Sequence, residues 1–163
     1  KGLLFVFVFG LPPLMHVDDP VRAIGACFAM ITVLQGMGLC GRFGVTTGRV
    51  YCGIVGSDKR REYTVMGDTV NLSARLMANA AQNTVLIDEA TYLRSQHDVT
   101  CQRLEPIMVK GKSKPIPIFA PGAPGVHGLE VPQLSGILCQ RGWNRQCAEL
   151  EGVVLKPGGG AAR

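Results

Sequence analysis

What most constrains this chain is the repeated switch between short β-type apolar runs and longer stretches of helical period, each stopped by glycine, proline or a polar turn. Residues 3–9 form a β-branched and aromatic run long enough for one buried strand, and Gly10, Pro12 and Pro13 end it. Asp18, Asp19 and Pro20 read as a helix start, with an Asp cap and Pro in the first turn. That helix runs to about Gln35 and stops at Gly36 and Gly38. Ala23, Cys27, Met30 and Leu34 make its apolar stripe, flanked by Ile24, Phe28 and Ile31. Residues 43–47 and 49–55 read as two strands joined around Gly48, and Gly53 and Gly56 imply crowded backbone or positive φ. A polar turn is expected over 57–62, a strand over 63–66, and a helix from Gly67 and Asp68 to near Ala81, with Asp68 as its cap. Residues 84–87 make a short strand, and Asp88 caps a short helix through about Ser95. Two more strands, 104–109 and 115–119, flank a turn at 110–114. Strands and helices mixed in this way give an α+β (mixed α/β) fold, a sheet layered with helices. The Gly-rich fingerprint of a Rossmann unit is absent from the sequence.

The chain has 163 residues, 47% apolar and 18% charged, which suits one domain with a real core and excludes a wholly disordered chain. Much of the Gly and Pro lies after residue 110. We therefore read 1–120 as the folded domain and 121–163 as a Gly/Pro-rich linker or tail. The net charge of +5 suits an anionic ligand such as a nucleotide. A surplus this small does not by itself argue for nucleic acid, which usually needs a clustered basic face, and no nucleic-acid partner is expected. The first residue is Lys1 and apparent core follows at once, so the chain reads as an internal fragment; a basic residue before an apolar run also admits a signal-peptide reading. That run is broken by Gly10, Pro12 and Pro13, short of the roughly 20 residues a span needs, so direct membrane insertion is not expected. The six cysteines form no C-x-x-C pair, which favours a reducing, cytoplasmic compartment.

The chemistry lies in residues 44–77. Asn71 and Arg75 are four apart on one expected helix and so share a face. An amide and a planar, permanently charged guanidinium side by side suit a ribose and a phosphoryl group that gains negative charge. Alone, such a pair reads first as a solvated helix face. Its setting is more specific: G-V-x-x-G-x-V-x-x-G-x-V-G at 44–56 is followed by Y-T-V-x-G-x-x-V-N-x-x-x-R at 63–75. This long pattern resembles the catalytic domain of class III nucleotidyl cyclases. Lys110, Gly111 and Lys112 resemble that family's late phosphate-contacting loop. Lys1 and Gly2, with the strand ending Val8, Phe9, Gly10, Leu11 and Pro12, are similar to the second catalytic half of soluble, bicarbonate-responsive adenylyl cyclases.

The resemblance covers about residues 1–120 and implies a ferredoxin-like sheet layered with helices, lacking the family's first strand and helices. It implies that Lys1 and Thr64 meet the purine, that Val65 offers backbone there, that Asn71 orients ribose and triphosphate, and that Arg75 acts in the transition state. Lys110 or Lys112 would contact phosphate; the sequence leaves open which. Adenine offers an acceptor at N1 and a donor at N6, which a lysine and a threonine hydroxyl complement. Guanylyl cyclases of the family place Glu and often Cys at these positions, so Lys1 with Thr64 favours ATP. The family also uses Mg²⁺ or Mn²⁺ held by two aspartates. One lies upstream of Lys1, and Leu3 stands at the position of the other. An apolar residue cannot ligate Mg²⁺, so a second cyclase catalytic domain, in the same chain or another, would supply the carboxylates. Asp18, Asp19 and Asp68 are read as helix caps.

The resemblance thus implies an adenylyl cyclase half that converts ATP to cyclic AMP and pyrophosphate at a shared dimer site in intracellular signalling. The alternatives are a catalytically inactive homology domain acting as a regulatory partner, and a guanylyl cyclase. A P-loop around Gly111, Lys112 and Ser113 would need Gly at 106, which is Pro106. His16, His97 and His127 are scattered, and no nucleophile-elbow motif supports a hydrolase.

Overall fold

A computed structural model describes residues 3–57, 60–123 and 153–155. The elements are β1 (Phe5–Phe7), α1 (Asp19–Gly36), β2 (Arg42–Val45), β3 (Tyr51–Ser57), β4 (Arg60–Met66), α2 (Asp68–Asn79), β5 (Thr84–Asp88), α3 (Glu89–Ser95), β6 (Cys101–Ile107), β7 (Ile116–Pro121) and β8 (Val153–Leu155). The central sheet has four strands in the order β2-β5-β7-β6. β2 runs parallel to β5, with Phe43 opposite Val85 and Val45 opposite Ile87; the β5–β7 and β7–β6 pairs are antiparallel. This is the mixed α/β architecture expected from the sequence.

Strand period 2 sorts this sheet's side chains onto two cores. Phe43, Val45, Val85, Ile87 and Phe119 pack with Ile24, Cys27 and Ile31 of α1. Leu86 and Ile118, at the alternate positions, pack with Leu76 and Ala80 at the α2 end. Helices thus cover both faces, and residues 43–45 of β2 and 85–87 of β5 are apolar and buried throughout because neither face meets water there. Gly44 faces α2, and a Cβ there would collide with the Ser73 carbonyl oxygen. Its hydrogen side chain sets how closely α2 lies on the sheet.

The structure adds strand partners to the reading around Gly48 and shortens the turn expected over 57–62. Segments 43–47 and 49–55 do not pair with each other: β2 enters the central sheet, and β3 pairs with β4 as a separate antiparallel ribbon. Residues 43–45 of β2 are buried between two helical layers, whereas β3 has five exposed residues of seven. The polar turn expected over 57–62 is shorter, since β4 begins at Arg60 and Arg61 pairs with Gly56. Charged side chains cost a ribbon little when its faces meet water, and Arg60 binds Glu62 on the same face with Nη2 2.6 Å from Oε1. Gly56 has φ of +142°, and a Cβ there would strike the Arg60 carbonyl oxygen.

The run 3–9 narrows to β1, whose residues pair antiparallel with Val153–Leu155. The rest of the segment read as tail beyond residue 123 lies outside the described residues. At the end of α1, Gly38 has φ of +70°, and the Leu39 N–H turns back to the Leu34 carbonyl at 2.8 Å.

Candidate active site

The candidate site is built on α2. Its inner stripe is Val70, Ser73, Leu76 and Met77, all buried, and the Ser73 hydroxyl donates to the Val70 carbonyl at 2.9 Å. The Thr46 hydroxyl, just past β2, donates to the Thr69 carbonyl at 2.8 Å and ties the first turn of α2 to the sheet. Burial of that stripe turns Asp68, Asn71 and Arg75, spaced i, i+3 and i+7, onto one common face. Asn71 and Arg75 are half-buried on it and Asp68 is exposed.

The 110–114 turn closes over this face. Gly111, at φ of +85°, lies so near Arg75 that a Cβ on it would be 3.7 Å from a guanidinium nitrogen. The Lys112 N–H donates to the Val109 carbonyl at 3.1 Å, and its ammonium pairs with the Asp68 carboxylate. Of the two lysines left open by the sequence, Lys112 is therefore the one whose side chain joins the α2 face. Lys110 is exposed at the start of the turn. The Lys112 hydrogen bond, then the charges of Lys112 and Arg75, hold the Asp68 carboxyl below the usual carboxylate range.

Thr64 and Val65 lie on β4, three and two residues before the Gly67 that leads into α2. Both are buried, at 8% and 5% exposure, on opposite faces of the strand. The Thr64 hydroxyl is buried with no hydrogen-bond partner among the described residues. Such an orphan is uncommon, since a buried hydroxyl without a partner carries a desolvation cost. Val65 lines a cleft of about 290 Å³ with Phe7, Phe9, Thr46, Val50 and Thr69. Lys1 lies outside the described residues.

The three aspartates read as helix caps do not cap. Asp18 occupies the N-cap position of α1, but its side chain makes no cap bond and instead accepts from Arg22 Nε at 2.9 Å. Asp19 accepts from the His16 backbone N–H at 2.9 Å. Asp68 is inside α2, behind Gly67 as N-cap, and binds Lys112. In each case a nearby cation or loop N–H competes better for the carboxylate than the helix amides do. Asp68 is the site residue that sequence reasoning missed; its signal was the i, i+3, i+7 spacing with Asn71 and Arg75.

Among the described residues no three His, Cys, Asp or Glu side chains gather where they could hold a metal ion. Leu3 is 66% exposed and apolar, and Asp68 is taken by Lys112. The described side chains of this chain do not by themselves fit a Mg²⁺ or Mn²⁺ site.

Residues 20–120 match the family described as the adenylate and guanylate cyclase catalytic domain. The chain belongs to this family. Adenylate cyclase type 10 of Rattus norvegicus is 32% identical to this cyclase domain over 122 residues, 73% of this chain and 8% of that protein. The chain thus spans under a tenth of the length of that curated relative. The crystal structure of the adenylyl cyclase CyaB from P. aeruginosa is similar with a TM-score of 0.64 and 28% identity, over 74% of this chain and 71% of that one. That of the guanylyl cyclase Cya2 gives a TM-score of 0.62 and 26% identity, over 83% of this chain and 75% of that one. Among the described residues no helix of the cyclase domain is long and apolar enough to cross a membrane.

Proposed function

We propose that this domain is one catalytic half of an adenylyl cyclase, supplying purine recognition, Asn71 and Arg75 to a site completed by a second cyclase catalytic domain. The observation that carries this reading is the meeting of Arg75 with the 110–112 turn over the outer face of α2. It brings a guanidinium and an ammonium together beside the helix face that carries Asn71, where a polyphosphate would need them. In the reaction the ribose 3′-oxygen bonds to the α-phosphorus, its proton leaves, and the bond to the pyrophosphate oxygen breaks. Asn71 would hold the ribose so that its 3′-oxygen faces phosphorus. Arg75 would donate to α-phosphate oxygens as charge moves to the leaving group, and Lys112 to the outer phosphates. The Mg²⁺ or Mn²⁺ of the family would be held by the partner domain, because the described residues here do not fit it.

The Thr64 hydroxyl, without a partner among the described residues, supports ATP as the substrate, since an adenine N6–H₂ would satisfy it. Lys1 would donate to N1. The exposed Leu3, where the family has a carboxylate, favours a second reading: a homology domain that pairs without turning over. The test combines the chain with a metal-bearing partner domain and measures cyclic AMP and cyclic GMP. Turnover of ATP is expected, and Lys1→Glu with Thr64→Cys should lower it roughly 10- to 100-fold, the worth of one charged hydrogen bond or more. No turnover with any competent partner would favour the pairing module, and ATP turnover unchanged in the double variant would remove these residues from the purine site.

A further inference from the structure

We propose that Asp68 is an intramolecular competitor for phosphate: it holds Lys112 over α2, so that a phosphoryl group reaching this face must exchange with its carboxylate. The proposal rests on the reading above that the Asn71 and Arg75 face takes phosphate.

Three observations support it. Asp68 shares that face and is not used as a cap, because the α2 cap position is Gly67 and no side chain bonds there. Its carboxylate lies close enough to both cations to be shifted by each: Lys112 by direct contact, Arg75 through its charge. A carboxylate offers two oxygens to donors, as a phosphate offers three. The pair is also built to exchange. The Asp68 side chain is 69% exposed, and an ion pair open to water holds its partners weakly. The turn itself is fixed by the Lys112 N–H to Val109 bond and by Gly111 at positive φ, so the lysine side chain can change partner while the backbone stays. The positive end of α2 favours a carboxylate in its first turn, which keeps Asp68 ionised and in place.

Asp68 would then tune affinity for the phosphate-bearing ligand, weakening it by competition. The probe is inorganic pyrophosphate, titrated into the chain at low ionic strength without metal and followed at the Gly111 amide by NMR. Asp68→Asn, which keeps the size and removes the charge, should bind about 2–5-fold more tightly than the parent. Asp68→Glu should restore parental affinity, and Lys112→Ala should weaken binding. In a Lys112→Ala background most of the gain from Asp68→Asn should vanish, because the two act through one contact. If Asp68→Asn binds no tighter while Lys112→Ala still weakens binding, the competitor role is wrong and the phosphate face stands. If neither Lys112→Ala nor Arg75→Ala alters pyrophosphate binding, the phosphate face itself is wrong and the competitor role goes with it.

Discussion

Arg75 lies two helical turns from Asp68, half-buried beside Gly111, with its own carbonyl accepting from the Asn79 side chain at 2.8 Å. Its guanidinium should strengthen its hold as charge moves to the leaving pyrophosphate, so its loss should fall on kcat more than on KM. With a competent partner, Arg75→Ala should lower kcat by about 10²–10³, the cost of one preorganised donor, while the melting curve stays near the parent's. Arg75→Lys keeps the charge but loses the fork and should also remain well below the parent. A normally melting Arg75→Ala that cyclises at the parental rate would reduce Arg75 to a solvated helix residue. That Asn71 and Arg75 share a face was legible in the sequence, because helical period alone decides it. Which of Lys110 and Lys112 joins them was not. In a turn, the backbone angles of one residue, here Gly111, decide which side chain points at α2.

The helices and strands that hold these residues were mostly legible from turn and cap residues, and α3 is the clearest instance. Asp88 sits at its N-cap in extended backbone and accepts from the Thr91 N–H at 2.9 Å. It also accepts from the Thr47 backbone, so it anchors the segment leaving β2. Asp88→Ala should cost about 1 kcal/mol, within the range for a lost cap. Burial is the larger influence on Asp88 and raises its carboxyl pKa, although the hydrogen bonds oppose it. A carboxyl raised on folding contributes stability at acid pH and loses it as pH rises through the folded value. The destabilisation by Asp88→Ala should therefore be larger at acid pH than at pH 7, as read from denaturant melts. Equal destabilisation at both would mean that burial does not control this group. Strand partners were harder to read than strands. The segments on either side of Gly48 are adjacent in sequence and both β-formers, which suggests a hairpin. Their partners were chosen instead by burial, since β2 has two helical layers to enter and β3 does not.

At the scale of the molecule, each aspartate that the sequence reading took for a helix cap is already engaged: Asp18 by Arg22, Asp19 by His16, Asp68 by Lys112. The purified chain supplied with ATP and Mg²⁺ or Mn²⁺ should accordingly make no cyclic AMP above background. Clear production by the chain alone would overturn the half-site reading. The sequence by itself determined the family, the mixed architecture, and the pairing of an amide with a guanidinium on one helix. Each follows from local spacing: the period of apolar residues, the placement of glycines, and a long motif. The tertiary structure decided the rest. It set β2 parallel to β5, brought the 110–114 turn over α2, turned Asp68 from a cap into the partner of Lys112, and left the Thr64 hydroxyl buried without a partner among the described residues. These depend on which segments, far apart in the chain, compete for the same burial and the same charges, and no local spacing encodes that competition.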